Sequence, residues 1–529
     1  MTFVDLSFIG FLLASILIFY ICPVKHRWLV LLGASIAFYA IAGVKFLPFI
    51  FITSLTIYLA ALGIGKVWTK QENALSDKSL DRAAKKQIKE SHKKKARAFL
   101  ILAIIFNIGI LCVSKYTKFL IEPINGLISS FSGTFELKAS HIIVPLGISY
   151  YTFSSVGYLL DVYWKRYSPE KNYARFALYL IYFPHILQGP IERYNRLGER
   201  LKQELRFDYK RVSFGIQLML WGYFKKLVIA DRANMFISSV FDNINGQSGI
   251  TLLVALALDV VYIYTDFSGC MDIARGVSQI FGVELDLNFN HPFFSKTVTE
   301  FWRRWHMSLG GWFRDYVYYS ISTSKKVKNL NKSLRKKLPD SVTRVIITAI
   351  PVTITWVLTG VWHGSGMGYV MWGVYYAVLI TISIALTPEL DKLFKRFNIN
   401  TETTAWKFMQ MFKVFCIFAG GRLCTSPGSL RNSYYVVKGV FTRLNIFEVV
   451  NGVLLENSLN TANWFILLAS IALLIVVSVY QEKGSVRERL SEQNAPVSWI
   501  MTFGLLFAIL VFGIYGPNFS AASFVYMVF

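Results

Sequence analysis

The sequence predicts an all-α, polytopic membrane protein, and three observations support that class. Apolar residues make up 54% of the 529 residues, whereas charged residues make up only 16%, well below the roughly 25% of an ordinary soluble domain. Uncharged apolar runs long enough to cross a bilayer recur along the whole chain. The strand alternation of a transmembrane β-barrel is absent, and helices are the other structure that satisfies a backbone in lipid. The same composition excludes a disordered chain, a collagen and a secreted disulfide scaffold.

The candidate helices can be placed run by run. The clearest single spans are residues 6–24, 28–44, 46–65, 139–160, 176–191, 457–481 and 493–529. The longest run, residues 345–388, can hold two spans, because one span needs about 20 residues. Weaker runs near residues 99–113, 212–230 and 243–265 bring the total to roughly 10–13 transmembrane or re-entrant helices.

Basic residues are concentrated in two segments that predict the orientation of the chain. The whole chain holds 56 basic and 31 acidic residues, a formal net charge of +25. Residues 66–97 contain 11 basic and 4 acidic residues, and residues 325–344 contain 8 and 1, so each segment contributes +7. Cytoplasmic loops of membrane proteins carry such an excess, and basic loops are also attracted to anionic membrane lipid. The alternative is a docking surface for an acidic carrier protein or a nucleotide; nucleic acid is not expected, because interleaved aromatic residues for base stacking are missing.

Carboxylates interrupt the apolar sequence of residues 262–276. Asp266 and Asp272 lie in or at the end of an apolar run, and Arg275 follows closely. Asp259, Asp266 and Asp272 are separated by six or seven residues, so on a helix they would share roughly one face. A charged residue within a span indicates a functional site by default, and both later aspartates are candidate site residues. The alternative is an internal ion-pair network with Arg275 or with a neighbouring helix, because buried charges are usually paired.

The segment of residues 300–319 is too polar for a plain span. It combines three tryptophans, three arginines, two carboxylates, three tyrosines and His306. One interpretation is an interfacial helix, with Trp and Tyr at headgroup depth and Arg reaching out to water. The other is the mouth of a cavity that receives an anionic substrate beside the histidine. The candidates for that cavity mouth are Arg304, Trp305, Arg314 and Asp315.

His363 is the only histidine in the run of residues 345–388. An imidazole is the natural general base near neutral pH, and an apolar site favours the neutral form that can take a proton from a hydroxyl. Trp362 precedes it, and the glycines around it would let backbone or substrate approach closely. The alternative is a structural histidine that is hydrogen-bonded between helices. We interpret His185, beside a Gly-Pro break, in that structural way and leave it out of the site.

Six groups of short sequence motifs follow one another along the chain. They are Gly189-Pro190-Ile191-Glu192-Arg193-Tyr194, Asp266-Phe267-Ser268-Gly269 with Asp272-Ile273-Ala274, Asn288-Phe289-Asn290-His291-Pro292-Phe293, Phe301-Trp302-Arg303-Arg304-Trp305-His306-Met307-Ser308-Leu309, Arg314-Asp315-Tyr316 and Val361-Trp362-His363-Gly364. This set resembles the membrane-bound O-acyltransferase (MBOAT) family. The resemblance covers roughly residues 140–390 and is closest to the bacterial branch with the alginate O-acetylation and teichoic acid D-alanyl transfer proteins.

The resemblance implies an all-helical ring of spans around a funnel that pierces or nearly pierces the bilayer. The candidate residues of this substrate funnel are Asp266, Asp272, Arg304, Trp305, Arg314, Asp315 and Trp362. A cytosolic acyl thioester would enter from one side and a hydroxyl acceptor from the other. The signature histidine of the family maps onto His363, which would be the catalytic general base, and the second one maps onto His306, which would line or orient the reaction centre. A catalytic core over residues 99–400 would follow N-terminal spans with a basic cytoplasmic loop over 1–98 and precede C-terminal spans over 401–529.

The resemblance therefore predicts an O-acyltransferase of a bacterial cytoplasmic (inner) membrane. It would move an acyl group, expected to be acetyl, from acetyl-CoA or another acyl thioester to an exported or cell-envelope polysaccharide, with an extracytoplasmic acetyltransferase as partner. We expect no tightly bound cofactor and, since the cysteines lack metal-ligand spacing, no metal. Residues 320–328 and 420–424 depart from the alginate branch, so alginate itself is not predicted.

Two alternative functions stay open at this point. Within the same family, the runner-up is D-alanyl transfer to teichoic acid, with a carrier protein as the donor. From a different class, a transporter with a polar funnel would share the intramembrane Asp, Arg and His. Transporters commonly show two matching halves, and the sequence shows no such internal repeat.

Overall fold

The structure, a computed structural model, describes residues 1–131 and 143–515. Within those two ranges the chain is helical apart from turns, loops and one isolated antiparallel β-bridge between Phe289 and Trp305. The all-α class predicted from the sequence is confirmed. The first residues of the predicted run 139–160 and the last residues of the run 493–529 lie outside the described residues.

One compact unit comprises Met1–Gly215 and Ala274–Asp286. Its helix α3 packs against the two helices that follow it, and α2 packs against α6. Buried hydroxyl groups also join distant parts of this unit, since those of Tyr182 and Ser278 lie 3.0 Å apart. The helices are α1 (Leu6–Ile21), α2 (Arg27–Gly43), α3 (Leu47–Leu75), α4 (Arg82–Phe131), α5 (Ile148–Tyr163), α6 (Tyr173–Ile181), α7 (Phe183–Ile186) and the first part of α8 (Tyr209–Tyr223).

The other compact unit comprises Ile216–Ile273 and Leu287–Phe529. Its helices are the rest of α8, α9 (Asp231–Asp242), most of α10 (Gly249–Ile280), α11 (Val298–Arg304), α12 (Met307–Phe313), α13 (Tyr319–Ser322), α14 (Lys325–Leu334), α15 (Asp340–His363), α16 (Met367–Arg396), α17 (Thr404–Arg422), α18 (Leu430–Thr442), α19 (Thr461–Gln481), α20 (Val486–Ser491) and α21 (Ala495–Phe512). Turns of π-helix, Phe224–Ala230 and Arg314–Tyr318, continue α8 and α12. All of the site residues predicted from the sequence belong to this second unit.

Seven helical stretches among the described residues are long and apolar enough to cross a membrane, so the chain is a polytopic membrane protein. They are Val24–Leu75, Arg82–Thr117, Gly249–Ile280, Asp340–His363, Met367–Arg396, Thr461–Gln481 and Ala495–Phe512. A turn at Val44–Phe46 divides the first stretch into α2 and α3. Other predicted runs form shorter helices, such as α5, α6 and α7 with 16, 9 and 4 residues. These short helices account for the difference from the roughly 10–13 transmembrane or re-entrant helices that were expected.

The two basic segments form helices, where the sequence predicted loops. Helix α3 ends at Leu75 and α4 begins at Arg82, so most of residues 66–97 belong to one of these helices. The Asp81 carboxylate accepts a hydrogen bond from the Ala84 amide at 2.7 Å and caps α4. Residues 325–344 likewise form α14 and the start of α15. Lys, Glu, Gln and Ala are strong helix formers, which explains why these polar segments continue the helices.

An aromatic core in the second unit surrounds the segments that carry the candidate site. Its side chains come from α10, α11, α16 and α17. Helices α15 and α16 lie so close together that a side chain at Gly360 would overlap the carbonyl oxygen of Tyr369. A small residue at this position permits the close approach. The largest aromatic members of the core are Phe267, Phe301, Trp305, Trp372, Tyr376 and Phe418.

Candidate active site

His306 lies between α11 and α12 in a turn that backbone pairing holds. The Asn290 amide donates to the Arg304 carbonyl oxygen at 2.9 Å. The Met307 amide donates to the Asn288 carbonyl oxygen at 3.0 Å. Between these two bonds His306 adopts the left-handed conformation, with φ of 47° and ψ of 52°. Such a conformation is uncommon for a residue other than glycine and is typical of functional positions.

His363 is the last residue of α15, and α16 begins at Met367. A side chain at Gly364 would overlap the ring of Tyr369, which explains why a glycine follows the histidine and ends the helix. The imidazole stands nearly perpendicular to the ring of Trp372 on α16, with centroids 5.1 Å apart. The α15–α16 hairpin therefore determines where this imidazole lies.

The two histidines that the sequence identified lie next to each other. Their ring centroids are 6.1 Å apart, and the side chains of His306 and His363 are 3% and 8% exposed. The Trp362 ring contacts both, at 5.9 Å from His306 and 5.0 Å from His363. Phe267 of α10 packs edge-on against His306 at 4.7 Å. We call His306 and His363 the histidine pair; its members come from separate elements and are close enough to contact one small group.

Burial sets the charge state of His306, which lies outside the membrane-spanning stretches. It lowers the pKa of the imidazole to about 3, because the charged form loses its hydration. The ring is therefore neutral near pH 7. A neutral imidazole donates a hydrogen bond through one nitrogen and accepts one through the other.

Asn288 supplies polar contacts to the histidine turn. Its Oδ1 lies 3.3 Å from Nδ1 of His306. The same oxygen lies 3.0 Å from the Ser308 amide nitrogen and 2.9 Å from the Ser308 hydroxyl oxygen. Its Nδ2 donates to the sulfur of Met271 at 3.2 Å. Asn288 is buried and joins α10 to the turn that carries the histidine.

Asp266 and Asp272 are paired with lysines of the π-helical turn after α8. The Lys226 ammonium lies 2.7 Å from the Asp266 carboxylate and 2.8 Å from that of Asp231. The Lys225 ammonium lies 2.8 Å from the Asp272 carboxylate. We call these five residues the ion-pair cluster. The contacts support the interpretation of the two aspartates as members of an ion-pair network with a neighbouring helix.

The third carboxylate on the same face of α10, Asp259, binds Arg422 of α17. The guanidinium Nε and Nη2 donate to its two oxygens at 2.7 and 2.9 Å. The Ser426 hydroxyl donates to the same carboxylate at 2.7 Å. Bidentate pairs of this kind are among the stronger hydrogen-bonded contacts in proteins, so this pair ties α17 to α10.

The predicted funnel residues Arg304 and Trp305 have different surroundings. Trp305 belongs to the aromatic core and stacks on Phe301, with centroids 5.5 Å apart. The Arg304 guanidinium binds the carboxylates of Glu300 and Glu482 at 3.0 and 3.1 Å. Trp305 thus contributes to packing, and Arg304 joins the end of α11 to the residue after α19.

Arg314 and Asp315 lie on the π-helical turn after α12. Their side chains contact each other at 3.1 Å and are 60% and 28% exposed. The histidine pair is buried, so this pair of charges differs from it in access to solvent. A role of Arg314, Asp315 and the other funnel candidates in substrate binding stays a prediction.

Sequence reasoning did not identify four residues that hold this region together. Lys225 and Lys226 gave one signal, because they are two adjacent charges in the weak apolar run 212–230, and charges in a span indicate pairing or function. Arg422 lies in the segment of residues 420–424, which differs from the alginate branch and gave no other signal. Asn288 begins one of the family motifs, but an uncharged asparagine gives no sign from sequence alone that it contacts a histidine 18 residues away.

These features define the class of this chain: an α-helical, polytopic membrane protein with a buried histidine pair beside a transmembrane hairpin. A sequence model of the membrane-bound O-acyltransferase family matches residues 168–335, a range that includes His306. Relatives extend the match over a longer part of the chain. On both grounds the chain belongs to the membrane-bound O-acyltransferase family, and the resemblance seen in the sequence is confirmed.

Three relatives illustrate the range of the family match. The "Probable alginate O-acetylase" of Pseudomonas putida is 30% identical over 382 residues, which are 72% of this chain and 70% of that protein. The peptidoglycan O-acetyltransferase of Helicobacter pylori is 27% identical over 391 residues, 69% of this chain and 65% of that protein. The teichoic acid D-alanyltransferase of Bacillus subtilis is 30% identical over 290 residues, 53% of this chain and 70% of that protein. Across the alginate O-acetylase relatives the match spans 63% to 70% of their length, about two thirds.

Proposed function

We propose that the protein is an O-acyltransferase that moves an acetyl group from a cytosolic thioester to a hydroxyl group of an exported or cell-envelope polysaccharide. The observation that carries the proposal is the buried histidine pair, with ring centroids 6.1 Å apart, in a member of this family. Relatives named alginate O-acetylase and peptidoglycan O-acetyltransferase support the acetyl group and a polysaccharide acceptor. A bacterial inner membrane would let one protein meet a cytosolic donor and an envelope acceptor.

In the proposed reaction His363 acts as general base on the acceptor hydroxyl. The hydroxyl oxygen forms a bond to the thioester carbonyl carbon, and its proton passes to the imidazole. The carbon–sulfur bond then breaks, and the leaving thiolate takes the proton back from the imidazolium, so the products are an ester and a free thiol. His306 orients the acceptor from the facing element, and such positioning supplies a large part of the rate.

The aromatic surroundings of the histidine pair fit this chemistry. Phe267, Trp362 and Trp372 pack around the two imidazoles at centroid distances between 4.7 and 5.9 Å. A site enclosed in this way excludes water, and that exclusion protects a thioester from hydrolysis. In the proposed reaction the two imidazoles supply the base and the positioning of the acceptor.

We propose acetyl-CoA as the donor and a separate extracytoplasmic acetyltransferase, or the polysaccharide itself, as the recipient. The exposed basic residues at the α3–α4 turn and in α14 are expected to face the cytoplasm, the side that holds acetyl-CoA. The donor binds as a substrate, so no tightly bound cofactor and no metal takes part in the proposed chemistry.

A complementation experiment tests the proposed function. A strain without the gene receives the wild-type chain, His363→Ala, or the control Lys86→Met, whose lysine is exposed. Mass spectrometry then measures O-acetyl groups on the envelope polysaccharides. We expect acetylation with the wild-type chain and the control, and its loss with His363→Ala at an equal amount of membrane protein. Full acetylation in the strain without the gene would refute the proposed function.

D-alanyl transfer is the second candidate, and one observation favours it. The teichoic acid D-alanyltransferase of Bacillus subtilis matches this chain over 70% of its own length. That match covers only 53% of this chain, against 72% for the Pseudomonas putida relative, so acetyl transfer is preferred. Membrane vesicles given labelled acetyl-CoA or a labelled D-alanyl carrier protein decide between the two. Solute movement without label in the polymer would instead favour a transporter.

A further inference from the structure

The side-chain amide of Asn288 can be oriented in only one way. The Ser308 backbone amide lies 3.0 Å from Oδ1 of Asn288, and a backbone N–H can only donate. The atom that receives this bond must therefore be the carbonyl oxygen. The Ser308 hydroxyl donates to the same oxygen at 2.9 Å, and Nδ2 donates to the Met271 sulfur at 3.2 Å. The amide is fixed on both sides.

This orientation decides which nitrogen of His306 carries the proton. Nδ1 of His306 lies 3.3 Å from the same Asn288 oxygen. A neutral imidazole has one N–H donor and one lone-pair acceptor, and two lone pairs would repel each other at this contact. Nδ1 must therefore carry the proton, so Nε2 carries the lone pair. The hydrogen bond at one ring nitrogen sets the role of the other in histidine sites generally.

We propose that Asn288 is a positioning residue that holds His306 in its Nδ1–H tautomer, so that Nε2 accepts a hydrogen bond from a hydroxyl group of the acceptor next to the one that is acylated, while the proton of the acylated hydroxyl goes to His363. This inference rests on the proposed function. An oxyanion at the thioester carbonyl needs hydrogen-bond donors, and the neutral Nδ1–H tautomer has no donor at Nε2. His306 therefore binds the acceptor and orients its reacting hydroxyl towards His363.

The surroundings of His306 agree with a neutral ring in this role. One titratable neighbour is His363, at a centroid distance of 6.1 Å. On α10, the ring of Phe267 packs against the imidazole, and the adjacent Asp266 is paired with Lys226 at 2.7 Å. A neutral amide directs the ring proton without favouring the imidazolium, whereas a carboxylate in its place would favour the charged form.

Two substitutions at one position separate tautomer control from packing. Asn288→Ala removes the acceptor, and we expect acetyl transfer to fall about 10- to 100-fold at every pH, with an unchanged KM for acetyl-CoA. Asn288→Asp keeps the acceptor oxygen and adds a charge, which raises the pKa of His306. We therefore expect near-wild-type transfer above pH 8 and a steeper loss as the pH falls. Asn290→Asp, at an exposed asparagine of the same turn, is the matched control and should leave the profile unchanged.

The assay uses the full chain in membrane vesicles of its host. Labelled acetyl-CoA is supplied to the cytoplasmic face, and label is counted in the polysaccharide fraction between pH 5 and pH 9, a range around the ordinary histidine pKa of about 6.5. Equal losses in Asn288→Ala and Asn288→Asp at every pH would show a packing role only and would overturn the proposal.

A second measurement reads the tautomer without catalysis. Nitrogen-15 NMR of the full chain, labelled at histidine, distinguishes a protonated from an unprotonated ring nitrogen; the His306 signals are those lost in His306→Asn. We expect a protonated Nδ1 and an unprotonated Nε2 in the wild-type chain, and a mixture in Asn288→Ala. A protonated Nε2 in the wild-type chain would overturn the proposal whatever the activity. The expected tautomer in a chain that transfers no acetyl group would instead count against the proposed function.

Discussion

Two buried polar regions of the second unit differ in how they tolerate burial. The ion-pair cluster places two lysines among three carboxylates, with Lys226 within 2.8 Å of both Asp231 and Asp266. The histidine pair is enclosed by aromatic side chains instead. Charged partners make burial tolerable only while all of them remain, whereas an imidazole can be buried uncharged and still exchange a proton. The comparison teaches that the charged groups of this unit hold its helices together, while the histidine pair is available for chemistry.

The largest effect on this comparison should come from the loss of one imidazole. His363→Ala should reduce acetyl transfer about 10²- to 10⁴-fold, the usual contribution of a general base, with unchanged insertion into the membrane. Label transfer from acetyl-CoA in vesicles measures the rate, and an immunoblot measures the amount of protein. Acetyl transfer close to the wild-type rate would show that another residue is the base, and the histidine pair would then no longer differ in role from the ion-pair cluster.

The second prediction concerns the other imidazole and its backbone. His306→Ala and His306→Asn should both lose at least about tenfold in acetyl transfer, because the ring nitrogen that orients the polysaccharide acceptor is gone. Asparagine tolerates the left-handed conformation better than alanine, so His306→Asn should unfold in detergent at the higher temperature of the two. An unchanged rate in both variants would leave His306 as an interfacial residue.

The third prediction concerns the removal of one lysine from the ion-pair cluster. Lys226→Met leaves the buried carboxylates of Asp231 and Asp266 without this cation, which should lower the free energy of unfolding by about 3–5 kcal/mol. The yield of folded protein should fall, whereas acetyl transfer per folded molecule should change little. Adding Asp231→Asn and Asp266→Asn to Lys226→Met should restore stability, and Lys86→Met, at an exposed lysine, is the control.

Thermal unfolding in detergent and rate per folded molecule are measured together for these cluster variants. A stable Lys226→Met chain with lost activity would contradict the division of roles, because it would place a charge of the cluster in the reaction itself.

The smallest effect is expected at the exposed basic surface of α4. Lys93, Lys94 and Lys95 are exposed, and changing all three to glutamine should leave acetyl transfer unchanged if this surface only sets topology. The KM for acetyl-CoA is the measurement, with Lys86→Gln as a single-site control. A raised KM for a carrier-protein donor, with acetyl-CoA unaffected, would favour D-alanyl transfer.

The membrane class and the histidine pair could be predicted because each leaves a local signal. Long apolar runs give the class, and His363 is conspicuous within such a run, whereas His306 is assigned through the family motif of residues 301–309. The partners of the aspartates could not be predicted in the same way. Lys226 is 40 residues from Asp266, and Arg422 is 163 residues from Asp259. These contacts are created by helix packing, which one sequence does not report.

The helical conformation of the two basic segments could not be predicted for a related reason. A polar composition indicates exposure to water, and residues 66–97 are indeed largely exposed. Exposure does not decide between a loop and a helix, whereas the helix propensity of Lys, Glu and Ala does. Asn288 shows most clearly what one sequence cannot predict. Its importance comes from geometry and hydrogen-bond direction, and its residue type gives no signal.

The close approach of α15 and α16 has a consequence for how this chain can vary. Gly360 lies one helical turn before His363, and any other residue there would meet the Tyr369 carbonyl oxygen and force the hairpin apart. The imidazole is carried on the end of that hairpin, so its position depends on a residue that has no functional group. In a library of random variants selected for acetylation, substitutions of Gly360 should therefore be as rare among survivors as those of His363, and a redesign for new acceptors should leave both positions alone.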